Sequence, residues 1–442
     1  MRRINILFSI CLFTIILSLF SCSKDKLKIS DINDSFNWDS YRGKKIKLIC
    51  NKHPWIDLIT PMLPDFERLT GITVDINIYP EDQFRAKLEV ELVSEISDVD
   101  ILMIMPGQDL AKYTSADWLF PLNKFINSRE TLWPDYEIED FYASAFNTGI
   151  KNSDIYAIPI LLETSLLAYN KEIFKRYGVL VPKTMEELEN AAKKIFYESN
   201  GEIYGITMRG KSPSVTSQWV DFLHSFGGEW LNEDHDASVN TTQAIKATDF
   251  YGRLLRLYGP KSATSNTWYE NISIFIQGKA AMIYDASVFK SIYEDNKISK
   301  IAGKVGYAMI PKGDKGAIPH VSNWGLGIYS GSKNKEAAWL FIQWATSKEI
   351  ALKGLLVGIP AARISAWESP EFKKTDNLSS WTYSSIESYK VASIYWNPPV
   401  VSVAECREVM GDAIVRSILG GNVKDACNYA AKRINEIIIE KK

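Results

Sequence analysis

One segment has the spacing of a phosphate-binding loop. Residues 205–212 read GITMRGKS, which matches the pattern GxxxxGKS letter for letter. Such a loop cradles phosphates when a strand precedes its first glycine and a helix begins at its lysine. Only three residues separate Gly201 from Gly205, and Pro213 disfavours helical angles at Ser212. We therefore expect a lysine-bearing loop here and no bound nucleotide or other cofactor.

Candidate metal ligands are present but their patterns are incomplete. Asn232, Asp234, Asp236 and Ser238 alternate like the oxygen ligands of a calcium loop, but the central glycine and the final bidentate glutamate are missing. The four histidines are scattered and form neither an HxxxH nor an HExxH motif. We expect a polar turn at 232–238 and no metal site.

No set of residues suggests covalent or acid–base catalysis. The sequence lacks a GxSxG motif, and none of its acidic residues stands out as a pair for glycoside hydrolysis. The 51 lysines and arginines nearly balance the 53 acidic residues, so there is no positive excess to neutralise phosphates. We therefore expect neither an enzyme nor a protein that binds nucleic acid.

The N-terminus has the pattern of an export signal. Arg2 and Arg3 precede the uncharged, mostly apolar residues 4–20, and a small residue, Ser21, precedes Cys22. This passage resembles the lipobox of bacterial lipoproteins, which implies a signal peptide at 1–21 and lipidation of Cys22. The apolar run is slightly short for the ~20 residues of a membrane span, although an uncleaved anchor is the alternative. Either way, we expect the rest of the chain to act outside the cytoplasm.

The elements that would position a site alternate between strand and helix. Buried strands are predicted at 45–50, 72–78 and 100–105, and amphipathic helices at 57–70 and 84–93. Alternation of this kind predicts an α/β domain with a parallel sheet. The chain of 442 residues is about three times a typical ~150-residue domain, which favours two large lobes.

Several short segments, in order and over nearly the whole chain, carry a family resemblance. They are FERLTGITV at 66–74, IYAIP at 155–159, AYNK at 168–171, VPKTMEEL at 181–188, GKAAM at 278–282, NWGLGI at 323–328 and SKNKEAAW at 332–339. From about residue 44 to 439 the chain resembles the bacterial extracellular solute-binding proteins of the maltose-binding type. Residues 51–55, NKHPW, look like a subset that binds sugars or sugar alcohols.

The resemblance implies a two-lobed periplasmic-binding-protein fold, of the Venus-flytrap kind, with a cleft between α/β lobes joined by crossing strands. It places the crossings near residues 162–164, 300 and 346. Lobe one would comprise 44–162 and 300–346, and lobe two 163–299 and 347–442. Residues 22–43 would then be the lipidated cysteine and a tether.

The carboxyl ends of parallel strands point toward a binding crevice, so the residues just after the predicted strands are candidates for ligand binding. His53 and Trp55 follow the first strand, Glu81 and Asp82 the second, and Gln108 and Asp109 the third. Each could equally be a surface, capping or core residue. Trp219, which could open a helix facing the cleft, and Arg363, which could bind hydroxyls or pair with an acid, are further candidates.

The resemblance adds candidates at positions where the family contacts its ligand. These are Glu163 and Thr164 at the first crossing, Tyr284 and Asp285 after GKAAM, and Asn323 and Trp324. Sugars offer hydroxyls to carboxylates and amides, and flat C–H faces to aromatic rings.

The implied function is capture of a carbohydrate or sugar alcohol by lobe closure and its delivery to a membrane-embedded ABC import permease. The protein would be a monomer without a cofactor, exported and lipid-anchored on the outer face of the cytoplasmic membrane or in the periplasm. The alternatives are a lipoprotein that presents its ligand to a membrane sensor and a carbohydrate-active enzyme.

Overall fold

The computed structural model describes residues 36–94, 97–376 and 379–440, without the side chain of Asp82. The predicted signal peptide, Cys22 and residues 23–35 lie outside the described residues. Residues 36–43 were predicted to belong to the tether, but Trp38–Tyr41 form a 3-10 turn and the Trp38 ring lies 5.5 Å from that of Trp133. This end of the predicted tether is therefore part of the folded body.

Strands and helices alternate through the first half of the chain, and helices dominate the C-terminal part. The strands are β1 (Lys45–Asn51), β2 (Thr73–Tyr79), β3 (Ile101–Ile104), β4 (Ile150–Lys151), β5 (Asp154–Ile155), β6 (Ile158–Pro159), β7 (Glu163–Asn170), β8 (Met282–Ala286), β9 (Val305–Ala308), β10 (Val321–Ser322) and β11 (Gly325–Ile328). The helices are α1 (Pro54–Ile59), α2 (Leu63–Thr70), α3 (Glu81–Val93), α4 (Pro106–Ser115), α5 (Asn123–Ile126), α6 (Ala143–Phe146), α7 (Lys171–Tyr177), α8 (Met185–Glu198), α9 (Thr216–Ser225), α10 (Thr242–Tyr258), α11 (Trp268–Ile276), α12 (Lys290–Tyr293), α13 (Lys335–Ala345), α14 (Lys348–Leu356), α15 (Ile364–Glu368), α16 (Pro370–Asp376), α17 (Ser380–Val391), α18 (Val403–Ile418) and α19 (Val423–Glu440).

The first sheet has the strand order β2-β1-β3-β11-β6 and is the centre of lobe one. Strand β1 pairs in parallel with both β2 and β3, whereas β11 runs antiparallel to β3 and β6. All four side chains of β3 are buried, as expected for a central strand with helices on both faces. The carboxyl ends of β1 and β3 therefore lie at the same edge of this sheet.

The second sheet, the centre of lobe two, is built differently. Strand β7 lies between β8 on one side and β9 and β10 on the other, and all three pair with it in antiparallel fashion. The parallel order predicted from the first three strands therefore does not extend to this sheet, although parallel bridges join Tyr204 to Ala280 and Thr207 to Ile283 beside β8. A buried strand has the same apolar pattern in either direction, so the sequence could not distinguish the two.

Strands β7 and β10 carry the chain side by side between the lobes, through the pairs Val321–Thr164 and Ser322–Glu163. The predicted lobe boundaries differ from the structure at two places. Strand β9 belongs to the range assigned to lobe one, yet it pairs with β7 of lobe two. Conversely, residues 348–363 were assigned to lobe two, but Arg363 donates hydrogen bonds to the carbonyl oxygens of Thr346 and Glu137 in lobe one.

Candidate functional site

A cavity of about 50 Å³ lies between the two sheets. Its walls come from both lobes and from the crossing strands. The lobe-one wall contains Asn51, His53, Glu81, Met105, Gln108 and Trp324. The lobe-two wall contains Arg209, Ser217, Gln218, Trp268, Asp285, Phe289 and Arg407, and the crossing strands and the loop between α17 and α18 add Glu163, His320, Ser322 and Trp396.

The end of β1 positions Asn51 and His53 at the cavity. His53 caps α1, where its Nδ1 accepts a hydrogen bond from the Trp55 backbone N–H at 3.2 Å. Burial lowers the pKa of His53 to about 4, so the ring is neutral at pH 7 and carries its proton on Nε2. The buried amide of Asn51 has no protein partner on either Nδ2 or Oδ1.

Trp268 and Glu81 form a bridge between the lobes. The Trp268 indole N–H donates to Glu81 Oε2 at 2.6 Å, and the Glu81 backbone N–H donates to the Tyr269 hydroxyl at 3.4 Å. A capping box of Thr267 and Glu270 fixes the first turn of α11, which carries Trp268. Burial opposes ionisation of Glu81, but nearby arginines, Arg209 first, lower its pKa overall, so its carboxylate is ionised at pH 7.

Asp285 ends β8 and holds Arg209 in a two-point ion pair. Arg209 Nη2 lies 2.6 Å from Asp285 Oδ1, and Nε lies 3.3 Å from Oδ2. Burial opposes the charge of Arg209, but the Asp285 carboxylate outweighs it and raises the pKa of the guanidinium. Arg209 also donates to Ser217 Oγ at 3.3 Å. The loop that resembles a phosphate cradle thus places an arginine in the cavity, and the following helix begins at Thr216, well after the lysine.

Glu163 opens β7 at the crossing and is 5% exposed. Its Oε1 accepts a hydrogen bond from Ser322 Oγ at 3.4 Å, while Oε2 is buried without a protein partner. Burial raises the pKa of Glu163 to about 8, so the group is a protonated acid at pH 7 and can donate a hydrogen bond.

A second bridge joins the lobes at Arg407. Its Nη1 donates to Gln108 Oε1, and its Nε donates to Thr216 Oγ1 at 2.8 Å. The guanidinium lies 5.1 Å from the centre of the Trp396 ring. Burial, together with the positive charge of Arg85, lowers the pKa of Arg407 to about 9, so it remains a cation at pH 7.

Aromatic rings line the cavity on both sides. Trp324 is 2% exposed and has the Arg85 guanidinium 5.6 Å from its ring centre. His320 stacks on Trp396 with ring centres 5.7 Å apart, and its Nδ1 lies 2.8 Å from Asp221 Oδ1. The hydrogen bond to the Asp221 carboxylate requires a proton on Nδ1 of His320. Nε2 is then the remaining polar atom of the ring.

Buried polar atoms without a protein partner line this cavity as both donors and acceptors. They are Asn51 Nδ2, Asn51 Oδ1, Glu163 Oε2 and Gln218 Nε2. Such atoms are costly unless something pairs with them. A hydroxyl both donates and accepts, so a molecule rich in hydroxyls matches this mixture.

Six of the sequence-predicted site residues line the cavity: His53, Glu81, Gln108, Glu163, Asp285 and Trp324. They come from strand ends of lobe one, the crossing, the end of β8 and the turn before β11. Cys22 and the side chain of Asp82 are not among the described residues.

Four other predicted residues lie one layer behind the cavity wall. Asp109 pairs with Arg85 at 3.2 Å, and Thr164 donates to the His320 carbonyl oxygen. The hydroxyl of Tyr284 donates to Asp221, and Asn323 Oδ1 accepts from the Thr148 hydroxyl. These contacts with protein atoms hold the wall in place, although Asn323 Nδ2 is buried without a protein partner.

The structure places three predicted residues away from the cavity, and for these the prediction of a cleft-facing side chain fails. Trp55 is 1% exposed in the core of lobe one, because α1 packs it inward. Trp219 is fully buried and donates its indole N–H to Thr248. Arg363 lies over the Phe141 ring at 3.9 Å and bonds to the carbonyl oxygens of Thr346 and Glu137.

Several wall residues were not among the predicted site residues. They are Asn51, Arg209, Gln218, Trp268, His320, Ser322, Trp396 and Arg407. Asn51 begins the NKHPW segment and Arg209 lies in the segment that matches the phosphate-loop pattern, so these two segments are the sequence features that point to them. Arg407 lies 299 residues from Gln108, and Trp396 lies 76 residues from His320, so no local pattern reveals these contacts.

Among the described residues, no group of three or more histidines, cysteines, aspartates or glutamates is arranged to hold a metal ion. Within the same ranges, no helix combines the length and apolar character needed to cross a membrane.

Comparison with protein families finds that residues 55–351 match the model described as bacterial extracellular solute-binding protein. The mannitol-binding protein of Pseudomonas aeruginosa is 31% identical over 277 residues, which are 61% of either chain. The erythritol/L-threitol-binding protein of Mycolicibacterium smegmatis is 27% identical over 355 residues, 75% of this chain and 72% of that one.

Solved structures share the fold over most of the chain. A solute-binding protein of an ABC transporter from Agrobacterium radiobacter, in complex with ribitol, has a TM-score of 0.81 at 24% identity and covers 90% of this chain and 99% of its own. Maltose-bound MalE3 of T. maritima has a TM-score of 0.80 at 23% identity and covers 89% and 99%. The predicted two-lobed α/β fold is confirmed.

Proposed function

The chain belongs to the bacterial extracellular solute-binding proteins, and on that premise we propose that it captures a neutral carbohydrate or sugar alcohol and delivers it to an ABC import permease. The observation that carries this proposal is the cavity between the lobes, with its unpartnered donors and acceptors and its aromatic rings. The names of relatives that bind mannitol and erythritol or L-threitol support it.

The balance of charge around the cavity favours a neutral ligand. Arg209 and Arg407 are cationic, Glu81 and Asp285 are anionic, and the protonated Glu163 adds no charge at pH 7. The two positive and two negative charges offset one another, so an ionic ligand would bring an uncompensated charge into a buried site, which is costly.

Binding can be coupled to closure because the wall residues come from both lobes. A ligand shifts an open–closed equilibrium only by its difference in affinity for the two states. Asn51 and His53 would bind one side of the solute, and Gln218 and Arg209 the other. A micromolar Kd needs about 8 kcal/mol, which a few hydrogen bonds of about 1–3 kcal/mol each and one stacked ring can supply.

We also propose that the site binds without turnover. The similar proteins are named as binding proteins, which supports this reading. Incubating the protein with its ligand and following the ligand by NMR should show only the starting compound, with no signals of a new species. Appearance of a new sugar species with protein alone would contradict it.

Membrane attachment through Cys22 is part of the proposal. Wild-type protein expressed in a bacterial host should sediment with membranes, whereas a Cys22→Ala variant should not carry the lipid. Recovery of both proteins in the soluble extracytoplasmic fraction would exclude the anchor.

The solute class is tested by thermal unfolding and calorimetry of the chain from residue 23 onward with mannitol, ribitol, erythritol and maltose, and with glycine and sulfate as non-carbohydrate controls. A ligand at 100 times its Kd should stabilise the fold by about 2.7 kcal/mol. Stabilisation by glycine or sulfate, and by none of the carbohydrates, would overturn the proposed class.

A further inference from the structure

The cavity is much smaller than a groove that lies beside it. This isoleucine groove, of about 1020 Å³, runs between α1 and α2 of lobe one and α11 and α12 of lobe two, and includes Ile272, Ile276 and Ile298. The cavity and the isoleucine groove share two wall residues, His53 and Trp268. These two side chains therefore form the partition between them.

Trp268 is held in this partition from several directions. Its ring stacks on Phe289 with centres 4.9 Å apart and on Tyr269 with centres 3.5 Å apart. Its indole N–H reaches across the cleft to Glu81 at 2.6 Å. Because Trp268 is 7% exposed and its partner Glu81 is ionised, moving the ring aside would leave a half-buried carboxylate without this donor, which is unfavourable.

On the other side of the partition, the cavity offers polar groups for one short chain of hydroxyls. Asn51, Glu163 and Gln218 present their unpartnered atoms into about 50 Å³ of space. A second sugar ring could extend from that space toward the isoleucine groove, through the position of Trp268. It could also extend past the bridge of Arg407 and Gln108, toward a second groove of about 630 Å³ that this bridge borders.

We propose that Trp268, held by Glu81, sets the upper size limit of the ligand, so that the protein selects a single small polyol or monosaccharide and excludes disaccharides. This inference rests on the proposed function. Removing the indole joins the cavity to the isoleucine groove and creates room for a second sugar unit. Trp268 is thus a specificity-determining residue.

The test is calorimetric titration of the wild type and of Trp268→Ala with maltose and with mannitol, ribitol and erythritol. We expect the wild type to bind one of the three polyols and to show no saturation by maltose. In Trp268→Ala, the ratio of the maltose Kd to the best polyol Kd should fall by about tenfold or more, because the steric exclusion is gone. Trp268→Phe, which keeps a smaller ring, should change the ratio less.

Trp133→Ala is the matched control, because Trp133 is a half-buried tryptophan that packs on Trp38 outside the cavity. It should leave the ratio at the wild-type value. Should Trp268→Ala not fold, Glu81→Ala removes the other half of the bridge and should lower the ratio in the same direction.

The outcomes separate the two proposals. Wild-type binding of a polyol, with an unchanged ratio in folded Trp268→Ala, overturns the size limit and leaves the proposed function standing. Wild-type binding of maltose as tightly as of the polyols also overturns the size limit alone. A wild type that binds no carbohydrate overturns the proposed function and this inference with it.

Discussion

The two walls of the cavity differ in how their polar groups are satisfied. In lobe two, Arg209 and Asp285 form a two-point ion pair, so these charges have partners within the protein. In lobe one, both atoms of the Asn51 amide lack a protein partner, and His53 presents a neutral ring. The charged groups of the lobe-two wall are therefore paired within the protein, although Gln218 Nε2 is not, whereas the Asn51 amide of the lobe-one wall needs a ligand to complete its hydrogen bonds.

This difference separates stability from selectivity within one site. Breaking a buried ion pair leaves an uncompensated charge and weakens the fold. Removing an amide that bonds to nothing in the protein should cost little stability and act on ligand affinity. Substitutions on the two walls should therefore have opposite signatures.

The largest effect is expected for Asp285→Ala in lobe two. It leaves Arg209 buried without its main carboxylate, which should lower the free energy of unfolding by about 3–5 kcal/mol in urea titrations. Asp314→Ala is the control, because its pair with Lys246 is exposed and should change stability by about 0–1 kcal/mol. Equal losses of unfolding free energy in the two variants would show that the buried Arg209–Asp285 pair stabilises the fold no more than an exposed pair.

A smaller effect, on affinity, is expected for Asn51→Ala. Loss of up to two neutral hydrogen bonds should weaken binding of the best polyol by about 1–3 kcal/mol, with the unfolding free energy nearly unchanged. Gln343→Ala is the matched amide control, because Gln343 is buried but bonds to Trp133 and Thr131. It should lose stability and keep affinity; the reverse pattern would contradict the division between walls.

The smallest effect is the pH dependence from Glu163 at the crossing. Its pKa is raised to about 8, so the protonated donor prevails at pH 6 and half of the molecules have lost it at pH 8. If the acid form binds, calorimetry should find affinity about two-fold lower at pH 8 than at pH 6. Glu163→Gln should remove this dependence, since an amide does not titrate.

The same raised pKa predicts a change in stability without ligand. The folded state binds this proton more tightly than the unfolded chain, so the contribution is fully present below about pH 4.5 and is lost as pH rises through about 8. Glu163→Gln should flatten the fall in unfolding free energy across that window. An equally steep fall in the variant would assign it to other groups.

Much of lobe one could be predicted from local pattern. The predicted strands at 45–50, 72–78 and 100–105 correspond to β1, β2 and β3. Alternating or continuous apolar residues indicate how a strand is buried in its own sheet, which is a local property. The rule that ligands meet the carboxyl ends of parallel strands then led to His53 and Gln108. Lobe two was harder, because its sheet is antiparallel and its wall includes a loop and helix starts.

The amino-acid sequence by itself determined the alternating elements, the family and the chemistry of the solute to expect, because these depend on residue type and short-range order. The tertiary structure alone decided that Trp55, Trp219 and Arg363 turn into the core while Trp268, Trp396 and Arg407 meet at the cavity. Which way a side chain faces depends on packing between segments that are separated in the sequence, by 29 residues for Trp219 and Thr248 and by 299 for Arg407 and Gln108. The periodicities of strands and helices, 2 and 3.6 residues, carry no information about contacts between such segments.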